Sequence, residues 1–343
     1  MGKRIAWIDI AKGLGILLVI SGHLFRAGSY ISTVIFSFHM PLFFFFAGML
    51  EHDCDLSFPK YLRKGLKKLL LPWVIFLVIG LAVTFSVPAW RREFDANDIP
   101  IAFYTLSAGF AHVGQIWFLS CLLGVKILFY FFNKLVIKSK NIPFIFFSLA
   151  ALTIAQKFLR GFANLYLPYK ILPFQLGSAF IGLVFYVIGY FYKDYRDEPS
   201  KSVRFCTFLI CFILVLYSPL NEFVNVASMD LKQDYFFYIF AFAGIFFTIF
   251  VSKFIADLSL RGIEPGKCLL QYIGKNSMDM FALHSFGLYI WEYLISAYRN
   301  ETISMMGNMT KQDCVAGTVF VLAFTLVIAY FFKAVRRIAC KQN

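Results

Sequence analysis

Three ionisable residues share one apolar stretch, DIAKGLGILLVISGH, which holds Asp9, Lys12 and His23. Two further histidines sit in other apolar runs: His39 in FSFHMPLFFFFAGML and His284 in GKNSMDMFALHSFGLYI. A neutral imidazole near pH 7 can take a proton from a hydroxyl, so histidines gathered at one depth are candidates for general-base chemistry. As a helix, the first stretch puts Lys12 and His23 roughly 16 Å apart along the axis and within about 20° on the same face. Asp9, three residues before Lys12, is within reach for an ion pair on the helix surface. Each such group costs a few kcal/mol in hydrocarbon, so a plain anchor gains nothing from them. They belong on a stripe facing a bundle interior or a wet cavity. The alternative is that Lys12 snorkels to the inner headgroups and His23 sits in the outer interface.

The elements that position this stripe must be membrane helices. Of 343 residues, 60% are hydrophobic, 20% aromatic and only 15% charged, and the mean hydropathy is +0.71. A soluble domain is about 45–50% apolar and about 25% charged. Polar surface cannot cover such a chain, so its solvent is largely lipid. The net charge of +14 has a topological explanation first and gives no reason to expect a nucleic-acid partner. The seven cysteines form no CxxC and no regular spacing, so neither a zinc site nor a disulfide framework is indicated. The N-terminal run mimics a signal peptide, but Asp9 and Lys12 interrupt it and no A-x-A site follows, which reads as a retained first helix.

A helical span needs roughly 20 mostly apolar residues. Ten segments qualify: Ile5–Phe25, Ile31–Leu50, Leu69–Trp90, Ile116–Ile137, Ile142–Phe158, Pro173–Tyr192, Val203–Pro219, Tyr235–Ile255, Tyr272–Ala297 and Cys314–Phe332. The fifth and seventh are short. The expected fold is all-α: a polytopic integral membrane protein of about ten transmembrane helices, a single membrane-embedded domain over residues 1–343. With the N-terminus inside, 23 of the 33 Lys and Arg fall on the inner side, nine on the outer side, and Lys126 lies within the fourth span. That split satisfies the positive-inside rule and makes both termini cytoplasmic.

In this topology Asp9 and Lys12 lie towards the cytoplasmic end of the first helix. His23 and His39 lie near one outer level on antiparallel neighbours, and His284 lies at mid-span or slightly outward. His112 falls in an outer loop, and His52 is the exception on the inner side. A lone helical histidine is more often a packed residue than a catalyst; the clustering is what points to chemistry. No HxxxH or HxH pair occurs and few carboxylates lie nearby, so no metal is expected. On the inner side FPKYLRKGLKKLLLPW presents Lys60, Arg63, Lys64, Lys67 and Lys68. These five cations suit anionic lipid headgroups, which sequence alone favours, or a phosphate-rich ligand.

Four places resemble the acyltransferase-3 family of membrane O-acyltransferases, most closely its fucose-4-O-acetylase-like branch. Asp9-Ile-Ala-Lys12-Gly13 followed by Gly22-His23 is similar to the first-helix signature, a basic residue, ten residues, then histidine. Phe38–Leu50 resembles the second-helix F-H-x-P-x-F-F-F-x-S-G pattern, Ile116–Leu123 the W-F-L start of a later helix, and Ile273–His284 the G-x-x-S…H element near the end. The order matches along essentially the whole chain. Two departures stand out: Lys12 replaces the usual arginine, keeping charge but losing the planar fork, and Ala47 replaces the usual serine before Gly48.

The resemblance implies transfer of an acyl group, usually acetyl, from cytoplasmic acyl-CoA to a hydroxyl, typically of a sugar in a surface polysaccharide or its lipid-linked precursor. Acetyl-CoA would then be the donor substrate, with no metal, in a bacterial plasma (inner) membrane. The donor's nucleotide would dock inside against Lys12, oriented by Asp9, with Arg63 and Lys64 as further contacts. His23 would be the general base. His39 would be a second catalytic residue and His284, with Trp117, an acceptor-binding one; both histidines are candidates for positioning the acceptor or stabilising an oxyanion. Two other classes stay open at this point. A transporter of a sugar-linked or small metabolite could use the same intramembrane His and Lys, although no paired halves with broken helices are visible. A receptor or structural membrane protein could use them only to pack helices.

Overall fold

A computed structural model describes residues 5–87, 90–91, 95–107, 114–193, 200–258 and 262–339. The described residues are almost wholly helical, with no β-strand and a single isolated bridge between Asn225 and Asp230. This is the all-α architecture expected, and backbone satisfied within its own segment is what hydrocarbon demands. Among the described residues nine helical segments are long and apolar enough to cross a membrane. They coincide with nine of the ten expected spans. The fifth and seventh are longer than their apolar cores: Ile142–Tyr166 has 25 residues and Lys201–Asn221 has 21.

The remaining expected span, the ninth in chain order, is broken. One helix ends at Lys275, Asn276 leaves helical geometry at φ −111° and ψ 19°, and a new helix runs from Ser277 to Arg299. The 23 residues of this second piece are long enough for a bilayer. Its Asp279, His284 and Glu292 make it too polar to qualify by composition.

Contacts divide the chain into two compact units, and the division falls inside the second helix, between His39 and Met40. The first unit comprises residues 1–39, 199–224 and 235–343. It contains α1 (Ala6–Leu24), the first half of α2 (Tyr30–Met49), and, later in the chain, the helices Lys201–Tyr217, Asp234–Asp257, Glu264–Lys275, Ser277–Arg299 and Lys311–Ala339. Helix α1 is its centre, packed against the last three of these. Its main crossing is built on glycine. A Cβ on Gly13 would collide with the backbone carbonyl of Leu270, and one on Gly274 would collide with the carbonyl of Asp9. Small residues let membrane helices approach to backbone contact, where dispersion and weak hydrogen bonds replace the missing hydrophobic drive.

The second unit comprises residues 40–198 and 225–234. It holds the second half of α2, then α3 (Phe58–Gly65), a π-helical turn at Leu66–Leu70, α4 (Leu71–Ser86), α5 (Asp98–Thr105), α6 (Trp117–Leu135), α7 (Ile142–Tyr166) and α8 (Leu176–Tyr192). The same glycine device recurs here: Gly48 meets the carbonyl of Tyr186 and Gly189 meets the carbonyl of Phe45. The remaining helices of the first unit are numbered on from these, α9 (Lys201–Tyr217), α10 (Asp234–Asp257), α11 (Glu264–Lys275), α12 (Ser277–Arg299) and α13 (Lys311–Ala339). Much of α7 is exposed and apolar, with Phe146, Phe147, Phe158 and Leu165 on its surface, as a lipid-facing helix requires.

Candidate active site

Three histidines of the first unit converge. His23 comes from the last turn of α1, His39 from α2 and His284 from α12. The rings of His23 and His284 have centroids 5.7 Å apart and are tilted by 32°. Phe36 is edge-on to both His23 and His39, with centroids at 5.7 and 4.7 Å. The glycine before His23 makes this possible: a Cβ on Gly22 would come within 2.9 Å of the Ile35 side chain and 3.1 Å of Phe36. On the other side Gly244 of α10 makes room for the ring of Phe38.

Hydrogen bonding fixes two of the three rings. His39 Nδ1 lies 2.9 Å from the Ile35 carbonyl and His284 Nδ1 lies 2.5 Å from the Phe281 carbonyl. A carbonyl only accepts, so Nδ1 carries the proton in each, and the neutral ring presents a bare Nε2. His39 and His284 are both buried. The Nε2 of His284 is fully buried and has no partner. Burying such an acceptor unpaired costs about 1–3 kcal/mol, which marks the position as worth an explanation. His23, partly exposed, makes no hydrogen bond with any described residue, so nothing there fixes its tautomer.

About three to four turns below on α1, Asp9 is buried and Lys12 half-buried, with Lys12 Nζ 3.6 Å from Asp9 Oδ1. The i, i+3 pair is as spacing predicts. Its height is set by the crossing with α11, since Gly274 abuts Asp9 just before the break at Asn276. Among the described residues no three His, Cys, Asp or Glu groups are arranged to hold a metal ion.

The remaining expected site residues lie in the second unit. Arg63 and Lys64 are exposed on the last turn of the amphipathic helix α3, followed by Lys67 and Lys68 on the π turn. Lys64 Nζ is 2.6 Å from Asp53 Oδ1, whereas Arg63 pairs with no described residue. Trp117 opens α6, edge-on to Phe118. His52 is exposed, and His112 lies outside the described residues.

Sequence reasoning missed one cluster altogether. Glu51, just past α2, is buried and accepts at Oε2 from Lys126 Nζ of α6, from Tyr186 Oη of α8 and, at 3.0 Å, from Tyr61 Oη of α3. The Asp53 N–H donates to Oε1 at 2.7 Å. Lys126 also lies 4.9 Å over the Tyr61 ring. Burial alone would raise the Glu51 carboxyl, but Lys126 and the hydrogen bonds from Lys126, Tyr186 and Asp53 hold it below the ordinary glutamate value. The signal was present: an ionised lysine inside a span demands an acidic partner.

One helix thus carries a basic residue, ten residues and a histidine, and two more histidines from other helices gather near that histidine. The family model for the acyltransferase domain matches residues 5–334, nearly the whole chain. The chain belongs to the acyltransferase-3 family. It is therefore a membrane acyltransferase, and the nine apolar spans among its described residues are those of an integral membrane protein. No curated protein and no solved structure matches it. Within this acyltransferase-3 protein the polar stripe of α1 runs from the Asp9–Lys12 pair to His23.

Proposed function

We propose that the enzyme moves an acyl group, acetyl in the first instance, from acyl-CoA on the cytoplasmic side to a hydroxyl of a sugar in a surface polysaccharide or its lipid-linked precursor. The observation that carries this reading is the meeting of His23 with a second buried imidazole at the far end of the stripe that begins at Lys12. Lys12, oriented by Asp9, holds anionic groups of the donor. Its pantetheine arm, an extended chain, spans the roughly 16 Å of rise to His23. On the second unit Arg63, exposed and without an acidic partner among the described residues, is better suited to take a phosphate than Lys64, which shares its charge with Asp53.

In the reaction His23 takes the proton of the acceptor hydroxyl as its oxygen bonds to the acyl carbon. The carbon–sulfur bond breaks, and the proton passes to the departing thiolate. The products are the ester and free CoA. His39, with its bare Nε2, positions the acceptor by accepting a hydrogen bond. A neutral ring whose one N–H is bound to a carbonyl has no donor left for an oxyanion, so the geometry favours this role over oxyanion stabilisation. Trp117 supplies an aromatic face for a sugar. The fucose-4-O-acetylase-like branch and a bacterial inner membrane fit the same signature, and membrane lipid supplies the surroundings.

Release of free CoA from acetyl-CoA by the purified protein, over a panel of sugar acceptors, tests the reading. His23→Ala is expected to lose about 10²–10⁴-fold in turnover. Equal CoA release by wild type and His23→Ala would remove His23 as the base. Acceptor flux across vesicles without any CoA release would replace the enzyme by a transporter.

A further inference from the structure

His23 is a base without an orienter: no described residue fixes which of its nitrogens is protonated. His284 is an acceptor without a donor: its Nε2 is buried, unpaired and held bare because Nδ1–H is committed to the Phe281 carbonyl. Each supplies what the other lacks. Two imidazoles joined by an N–H···N bond of about 3 Å have centroids about 5.3 Å apart. The observed 5.7 Å, at a tilt of 32°, is within a small side-chain adjustment of that contact. The other histidine of the cluster, His39, has the Phe36 ring edge-on to it at 4.7 Å and its Nδ1–H committed to the Ile35 carbonyl.

We infer that His284 is a positioning residue for His23, accepting its N–H at Nε2 so that the opposite nitrogen is bare and aimed at the acceptor. This rests on the reading of His23 as the base and gives His284 a different task from binding the acceptor. The chain runs from the His23 N–H to His284 Nε2, and from His284 Nδ1–H to the carbonyl of Phe281, one turn back on α12. When the acceptor hydroxyl loses its proton, that proton goes to the bare nitrogen of His23. The proton already on the other nitrogen stays there, and its hydrogen bond to His284 strengthens because the donor is now cationic. No carboxylate is needed: a neutral imidazole tied to a backbone carbonyl does the orienting. The logic is that of any base whose tautomer is held by a third group.

The pairing is tested on the full-length protein in lipid, with nitrogen-15 in its histidines. Wild type is expected to show His23 as one tautomer, with a through-hydrogen-bond nitrogen–nitrogen coupling to His284, the His23 signals being assigned by their loss in His23→Ala. His284→Leu should leave His23 as mixed tautomers and lower kcat by about 10²–10³-fold, with the donor KM within threefold. His284→Gln, whose side-chain carbonyl can stand where Nε2 was, should recover most of that loss. Absence of the coupling in wild type overturns the inference, and so does a Gln variant as impaired as the Leu variant. The coupling is read whether or not any acceptor is turned over, so a protein that never releases CoA but shows it would refute the proposed reaction and retain the pairing.

Discussion

Gly274 rests against the backbone carbonyl of Asp9, closer than any residue with a side chain could come. One residue further on, the helix that carries Gly274 ends, and His284 follows on the next piece. The height of the Lys12 pair on α1 and the position of the third histidine are therefore set by one helix crossing, with Gly13 against Leu270 as its reciprocal contact.

Gly274→Ala should accordingly push α11 off α1. Overpacking of this kind costs about 1–3 kcal/mol, seen as a lower apparent Tm in detergent, and donor and acceptor ends of the stripe should lose activity together. Gly161→Ala, where an added Cβ meets nothing within 4 Å, is the control and should be neutral or slightly stabilising. Equal losses in both variants would remove the crossing from the account.

Lys12→Ala should raise the donor KM by about 10–150-fold while leaving the proton-transfer machinery in place, since losing a charge-assisted contact costs roughly 1.5–3 kcal/mol. Lys12→Arg should retain most donor binding. A fall in kcat with unchanged KM would place Lys12 in the chemistry instead.

Arg63 and Lys64 are adjacent but not equivalent, because Lys64 is already paired with Asp53. Arg63→Gln should weaken the donor more than Lys64→Gln, and should flatten the dependence of donor KM on ionic strength, since exposed charges act through a salt-screened field. Identical effects of the two substitutions on KM and on its salt dependence would contradict this.

Glu51→Gln should strip the buried Lys126 of its counter-charge and destabilise the second unit by about 3–5 kcal/mol, the cost typical of halving a buried pair. Lys126→Met on the Glu51→Gln background should restore much of the loss. Glu51 is held below its ordinary value of 4.5 in the fold. Its contribution is thus present above about pH 4.5 and is lost as the pH falls through the lowered folded value. Thermal melts of wild type and Glu51→Gln should converge as the pH falls below the ordinary glutamate value; a gap that stays constant until both unfold in acid would disprove the linkage.

The site was half legible in the sequence. Asp9, Lys12 and His23 could be placed on one face because helical period alone fixes relations within a single segment, and the ion pair followed from a spacing of three. His39 and His284 could be assigned a depth, but not a partner. That the His284 ring lies against His23, and that Phe36 is edge-on to both His23 and His39, depends on how α1, α2 and α12 rotate about their own axes. Gly13, Gly22 and Gly274 were visible as members of motifs without a stated job; close contact with another helix is their job, against backbone at Gly13 and Gly274 and against the Ile35 and Phe36 side chains at Gly22. Glu51 escaped notice because it stands just beyond an apolar run and reads as a loop acid, and Lys126 was placed in its span without a partner.

What the sequence by itself determined was the solvent and the secondary structure: a chain this apolar must lie in lipid, and in lipid its backbone must be helical. It also determined the polar stripe of α1, since that needs only one helix. The tertiary structure alone decided which buried polar groups meet and which lone pairs stay bare, including the Nε2 of His284. It also decided that the last apolar segment but one breaks at Asn276. These depend on contacts between residues far apart in the chain, where a rotation of one helix by a fraction of a turn exchanges one neighbour for another, and no local pattern records that angle.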